Sequence, residues 1–289
     1  MAEREKVTVR RVAQMKGRKR IVMVTAYDYP TARVVDQAGV DIILVGDSLS
    51  MTVLGNPSTL QVDMETMLRH TEAVARALPR ALLVADMPFM SYEMGGAEAV
   101  KNAGQFLRAG ADAVKIEGGE DYADIVRSFV RAGVPVMGHI GLTPQKHKLL
   151  GGYRLMGRTA SEALQIIKDA IVLEDAGVFS IVIEHTASEV AAEVTKRVSV
   201  PTICIGSGPH CDGQVLVLHD ILGLSESPPP FAKKYVDLAS EMRAAIAKFK
   251  EEVEGGLFPE EGRYWRMKEG EYEKVVEALK RQARPGEGA

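Results

Sequence analysis

The chain has 289 residues, 46% of them hydrophobic and 26% charged, with 36 Lys+Arg against 39 Asp+Glu, a net charge of −3 and an isoelectric point near 6.1. This composition belongs to a globular chain with ample core material, and the lack of a basic surplus excludes nucleic acid and an anionic membrane surface as expected partners. No apolar run reaches membrane-spanning length, and the first twenty residues are charged with no apolar signal core, so the cytoplasm is the expected compartment.

Apolar runs of strand length alternate with helix-length segments. Strands are predicted over 21–27 (IVMVTAY), 42–46 (IILVG), 82–86 (LLVAD), 113–117 (AVKIE), 135–140 (PVMGHI), 180–184 (SIVIE), 201–206 (PTICIG) and 215–218 (VLVL). Helices are predicted between them over 30–39, 63–77, 95–109, 121–132, 161–176 and 187–198, with Ser161 opening the fifth and Gly177 stopping it. Each crossover through a helix makes the flanking strands parallel. Eight such units close a (β/α)8 barrel. The alternative, an open doubly wound sheet, would spread out the polar residues that end at least five of these strands, whereas a barrel rim gathers them. Two long loops, 47–62 and 141–160, are expected as lids or binding loops. After the Pro cluster at 228–230, helices are predicted over 232–254 and 270–283. The expected organisation is a barrel over 1–262 and a partly solvated helical extension over 263–289.

Cys204 and Cys211 are the two cysteines. Their C-x6-C spacing is not a usual zinc pair, and two free thiols in or near a core are expected. There are two asparagines, Asn56 and Asn102, and this scarcity beside abundant charge resembles thermophile usage.

Four acids each end an apolar run: Asp47 in IILVGDS, Asp86 in LLVADMPF, Glu117 in AVKIEGG and Glu184 in SIVIEHT. On one barrel rim these carboxylates face one another, and such crowding is tolerable when a cation is bound or a proton is shared. Asp47, Asp86 and Glu117 are hard oxygen donors, suited to Mg2+. No His or Cys is expected in their immediate cluster, which disfavours zinc. Lys115 shares a strand face with Glu117 and would point into the barrel beside the acids. Glu184 is placed to remove a proton from the carbon beside a keto acid's carbonyl. Ser48 offers a hydroxyl and an N–H for a substrate carboxylate. His139, Tyr27 and Asp28 stand at the rim, placed to line the pocket, and His185 is expected to face away. IGSGPHCDG (205–213) lacks G-x-G-x-x-G, but its backbone amides suit an anion. No G-x-x-x-x-G-K-[ST] occurs.

TAYDY (25–29), LVGDSLSMTVLG (44–55), ADMPFMSY (85–92), VKIEGGE (114–120), GHIGLTPQ (138–145), GGYRLMGR (151–158) and IGSG (205–208) together resemble the ketopantoate hydroxymethyltransferase family, in order from about residue 8 to about 260. The resemblance implies a barrel of the phosphoenolpyruvate/pyruvate superfamily type. It implies Mg2+-dependent hydroxymethyl transfer from 5,10-methylenetetrahydrofolate, or a modified pterin, to 3-methyl-2-oxobutanoate. It places metal ligands on Asp47, Asp86 and Glu117, the base on Glu184, and substrate contacts on Asp47, Ser48, Asp86 and Lys115; His139 is added as a substrate contact from its place at the rim. It also implies a large homo-oligomer, often a decamer. One rival reading is a carbon–carbon lyase or mutase of the same superfamily; the K-[KR]-C-G-H motif of isocitrate-lyase-like members is absent. The other is a non-catalytic metabolite-binding barrel, which would need no base.

Overall fold

The eight apolar runs close on themselves. The computed structural model describes residues 5–77 and 79–282. In it β1 (Ile21–Thr25), β2 (Ile42–Val45), β3 (Leu82–Asp86), β4 (Ala113–Glu117), β5 (Val136–Gly141), β6 (Ser180–Glu184), β7 (Thr202–Ile205) and β8 (Gly213–Leu216) form a closed parallel barrel in sequence order. β8 begins two residues earlier than expected because Gly213 is drawn into register with both Ile21 and Ile203, closing the ring.

Twelve α-helices run through the described residues. In chain order they are α1 (Val9–Ala13), α2 (Tyr29–Gln37), α3 (Leu49–Thr52), α4 (Met64–Ala75), α5 (Gly96–Arg108), α6 (Ala123–Arg131), α7 (His147–Leu150), α8 (Ala160–Ala176), α9 (Ser188–Arg197), α10 (Leu218–Leu222), α11 (Leu238–Glu254) and α12 (Glu271–Gln282). The predicted helices are present, and α1, α3, α7 and α10 are short additions that four or five residues of pattern do not reveal. The cap of α8 is Thr159, whose side chain accepts from the Glu162 N–H, so the start expected at Ser161 moves up by one residue. α11 starts at 238, six residues later than expected, where the Asp237 carboxylate accepts from the Ser240 N–H.

Strand alternation sorts the core into two layers. Ile21, Met23, Ile42, Leu44, Leu82, Val84, Ala113, Met137, Val182, Ile203 and Val215 pack together inside the barrel. Ile43, Val45, Leu83, Ala85, Val114, Ile116, Ile140, Ile181 and Ile183 face outward against buried helix residues such as Val74, Phe106, Phe129 and Leu173. The inward set reads apolar at the start of each strand and polar at its end: Leu82, Val84, Asp86 on β3, and Ala113, Lys115, Glu117 on β4.

The described chain falls into two compact units, one up to Val236 and one from Asp237. The second unit includes α11, none of whose residues is buried.

The expectation of free thiols is overturned. Cys204, the third residue of β7, and Cys211 are joined in a disulfide, their Cα atoms 5.7 Å apart. Linear spacing did not show this because the 205–213 segment folds back on itself, turning at Gly206 and Gly208 in the left-handed region. Both cysteines are fully buried. We expect a non-reducing peptide map to recover residues 204 and 211 on one linked species, and the Cys204→Ala/Cys211→Ala pair to lower unfolding free energy by about 2.5 kcal/mol, the loop-closure entropy of so short a ring. Full alkylation of both thiols in the denatured, unreduced protein would contradict the bond.

Candidate active site

Register decides which charges meet. β3 pairs with β4 so that Asp86 lies opposite Lys115, and β4 pairs with β5 so that Glu117 lies opposite His139. Lys115 Nζ sits 2.9 Å from Asp86 Oδ1. His139 Nδ1 is 3.5 Å from Glu117 Oε1, and its Nε2 is 3.2 Å from Glu184 Oε2 on the next strand. Asp47 enters from the end of β2, where its N–H donates to Asp86 Oδ2 at 3.0 Å. The structure thus brings Asp47, Asp86, Lys115, Glu117, His139 and Glu184 together at the C-terminal rim. It corrects one expectation: a histidine does share the cluster, because β5 carries His139 directly beside Glu117.

Asp47, Asp86, Lys115, Glu117 and His139 are all buried, and Glu184 is the most open of the group, its side chain 19% exposed. Four carboxylates here face two cations. Burial pushes the Asp47 carboxyl well above its usual range, and the Asp86 and Glu117 charges push it further. Asp86 is also raised by burial, against the pull of Lys115. Glu117 goes the other way: burial opposes ionisation, but His139, Lys115 and the Gln145 N–H together hold it below its usual range. Burial lowers Lys115, and the charges of Asp86, Glu117 and Asp47 outweigh it, so the ammonium is held above its usual value. Burial and Lys115 lower His139, while Glu117 and Glu184 raise it, and the balance lies at about 9, an imidazolium at neutral pH.

The donor set fits a hard divalent cation. Asp86 Oδ1 is buried without a hydrogen bond, its contact with Lys115 being an ion pair off hydrogen-bonding alignment. An excess of carboxylates over cations suits Mg2+. Among the described residues no three His, Cys, Asp or Glu side chains stand ready-arranged as a metal-ligand group. Glu117 Oε2 accepts from the Gln145 N–H at 3.0 Å, and its Oε1 faces His139.

Ser48 and Tyr27 also meet, Tyr27 Oη lying 2.9 Å from Ser48 Oγ. Asp28 does not join them; it caps α2, accepting from the Thr31 N–H. His185 turns to Phe231, their rings 5.6 Å apart. The 205–213 loop is tied to β6 and the turn after it, with Ser207 Oγ donating to the Ile183 carbonyl and accepting from the Thr186 N–H.

Three residues escaped the sequence reading. Gln145, in the 3-10 turn Pro144–Lys146, donates from Nε2 to Asp47 Oδ2 and to the Met87 carbonyl, both at 2.9 Å. Tyr92 donates its hydroxyl to Gln145 Oε1 at 2.7 Å. Tyr153, from the same long loop as Gln145, stacks on His147 and feels the charges of Asp47, Glu184 and Glu117, which together with burial raise its hydroxyl. No periodicity marks loop residues; the available signal was that Gln145 and Tyr92 lie in the GHIGLTPQ and ADMPFMSY stretches that carry the family resemblance.

The profile of the ketopantoate hydroxymethyltransferase family matches residues 6–261. A 3-methyl-2-oxobutanoate hydroxymethyltransferase of Hyperthermus butylicus is 64% identical over 288 residues, 99% of this chain and 100% of that protein. The chain belongs to the ketopantoate hydroxymethyltransferase family. A second member, from Staphylothermus marinus, is 62% identical over 93% of this chain and 100% of its own. Among solved structures, phosphonopyruvate hydrolase with oxalate and Mg++ matches with a TM-score of 0.59 at 16% identity, covering 96% of this chain and 97% of that one. A 2,3-dimethylmalate lyase of the PEP mutase/isocitrate lyase superfamily matches with 0.57 at 19%, over 96% and 97%. These two likenesses are of fold. Among the described residues no helix is long and apolar enough to cross a membrane.

Opposite signs are expected on removing charge from this cluster. Lys115→Ala strips the buried acids of their nearest cation and should cost about 3–5 kcal/mol of unfolding free energy in EDTA. Asp47→Asn keeps an acceptor for Gln145 while removing one of the crowded charges, and should leave that stability unchanged or raise it. Denaturant titration of both variants decides the point, and equal destabilisation would refute the charge accounting.

Proposed function

We propose that this protein transfers a hydroxymethyl group to C3 of 3-methyl-2-oxobutanoate, giving 2-dehydropantoate on the route to pantothenate and coenzyme A. In this reading Mg2+ is the metal and 5,10-methylenetetrahydrofolate, or a related pterin, is the one-carbon donor. The observation that carries it is the meeting, on one rim, of Asp47 and Asp86, a buried ammonium on Lys115, and a partly open carboxylate on Glu184. The names of the relatives at 64% and 62% identity support the same substrate.

Asp47 and Asp86 would hold the metal, with Glu117 the third acid of the set. Bound there, Mg2+ supplies Lewis-acid polarisation of the keto acid's 2-oxo oxygen. Ser48, its hydroxyl held by Tyr27, offers a donor to the substrate carboxylate. Glu184 takes the C3 proton, with the His139 imidazolium 3.2 Å away as its charge partner. Lys115 places a fixed positive charge beside the enolate oxygen as it forms, in surroundings closed to water. C3 then bonds to the donor's methylene carbon, and one water is consumed as the carrier leaves in its tetrahydro form and the product gains its hydroxyl.

The lyase or mutase alternative draws less support: the K-[KR]-C-G-H motif is missing, and both cysteines are joined in the disulfide. A cytoplasmic homo-oligomer is part of the proposal. It is supported by the apolar stripe Met242, Ile246, Phe249 and Val253 left exposed along α11.

The test is proton exchange. With Mg2+ and no folate, the protein should exchange the C3 proton of 3-methyl-2-oxobutanoate for deuterium, followed by NMR; a binding barrel would not. Glu184→Gln should slow exchange and turnover together by roughly 100-fold or more, the usual worth of a positioned base, with Mg2+ affinity retained. Recovery of that variant at high Mg2+ would make Glu184 a metal ligand instead.

A further inference from the structure

A single residue, Gln145, bonds two members of the acid cluster. Gln145 is buried, 4% exposed, although it belongs to the long loop after β5. Its backbone N–H donates to Glu117 Oε2 at 3.0 Å, and its side-chain Nε2 donates to Asp47 Oδ2 and the Met87 carbonyl, each at 2.9 Å. Its Oε1 accepts from the Tyr92 hydroxyl at 2.7 Å. The orientation of the amide is dictated chemically. The Met87 carbonyl can only accept, so it must face the NH2 group, and Oε1 is then left for the Tyr92 hydroxyl. The second N–H of that NH2 group lands on Asp47. Tyr92 is fixed in turn: its hydroxyl oxygen accepts from the Glu117 N–H at 3.3 Å and its ring stands edge-on to Tyr122. One residue therefore holds a carboxylate at the end of β2 and another at the end of β4, and Asp47 Oδ2 is committed while Oδ1 takes no hydrogen bond among the described residues.

The loop that delivers Gln145 is rooted beside the proposed base. Leu142 N–H donates to the Glu184 carbonyl at 2.9 Å, and Gly141, at φ +88°, leaves the room that this requires. A Cβ at 141 would collide with that same carbonyl oxygen and with the Thr186 hydroxyl.

We propose that Gln145, braced by Tyr92, is the positioning residue of the acid cluster: it turns the Asp47 and Glu117 carboxylates to the orientation in which a divalent cation is bound and couples the 141–160 loop to that site. The inference rests on the metal reading above and adds to it a residue that touches neither the reacting carbon nor, through its own amide, the metal. Partners that fix ligand carboxylates in this way commonly set metal affinity.

The experiment is direct Mn2+ binding, followed by EPR of the free ion, to the wild-type chain and to Gln145→Ala, Gln145→Met and Tyr92→Phe. Gln145→Met keeps length and volume but has no donor or acceptor, so it separates positioning from packing. Both Gln145 variants should weaken Mn2+ binding by about 10–100-fold, with Tyr92→Phe changed in the same direction by less. Deuterium exchange at C3 should show a raised metal requirement in the Gln145 variants with the rate at saturating Mg2+ largely restored. If the wild type takes up no Mn2+, the metal reading fails and this inference with it. If the wild type binds and Gln145→Met binds within roughly twofold of it, the positioning role alone is refuted, whatever happens to turnover. Should Gln145→Ala fail to fold, Gln145→Met and Tyr92→Phe, which keep volume and ring, carry the decision.

Discussion

The site depends on charge pairing across adjacent strands among buried side chains. Asp86 opposite Lys115 and Glu117 opposite His139 are register partners, and a slip of one residue would turn each side chain to the opposite face of its strand. Buried charges are costly unless each finds its counterpart. The barrel register is therefore what makes the cluster tolerable, and the cluster in turn penalises any other register. The pairing is incomplete, since acids outnumber cations. Burial first, and then that remainder, keep Asp47 above its ordinary range, and the excess of acids is the physical basis for proposing a divalent cation at this rim.

Below the charged layer the barrel interior is apolar, from Ile21 and Met23 through Leu82 and Val84 to Val182 and Val215. This floor closes the polar layer off from the N-terminal side, so solvent and substrate reach it from the loop side. Glu184 is the most exposed acid of the cluster, its side chain 19% exposed, where Asp86 is buried.

Two loops are tied down by different chemistry. The loop after β5 is anchored through the Gln145 side chain and the Leu142 N–H. The loop after β7 is closed by the Cys204–Cys211 bond and by Ser207 spanning Ile183 and Thr186. The first carries Tyr153 toward the acids, and the second borders the strand that carries Glu184.

Much of this was legible in the sequence. Strand-length apolar runs separated by helical periods are a local property, so β3, β4 and β6 fall on their predicted ranges and the parallel barrel follows from the crossovers. The acids Asp47, Asp86, Glu117 and Glu184 were legible for the same reason: each interrupts an apolar run at its end, and Lys115 is placed by period-two alternation. What depends on distant residues meeting was not legible. His139 joins the cluster through the pairing of β5 with β4, Gln145 reaches Asp47 across 98 positions of chain, and Cys211 returns to Cys204 through a turn that C-x6-C does not announce. Periodicity reports which face a residue takes within its own element. Which charges become neighbours is set by strand register and loop closure, and these exist only once the barrel has closed.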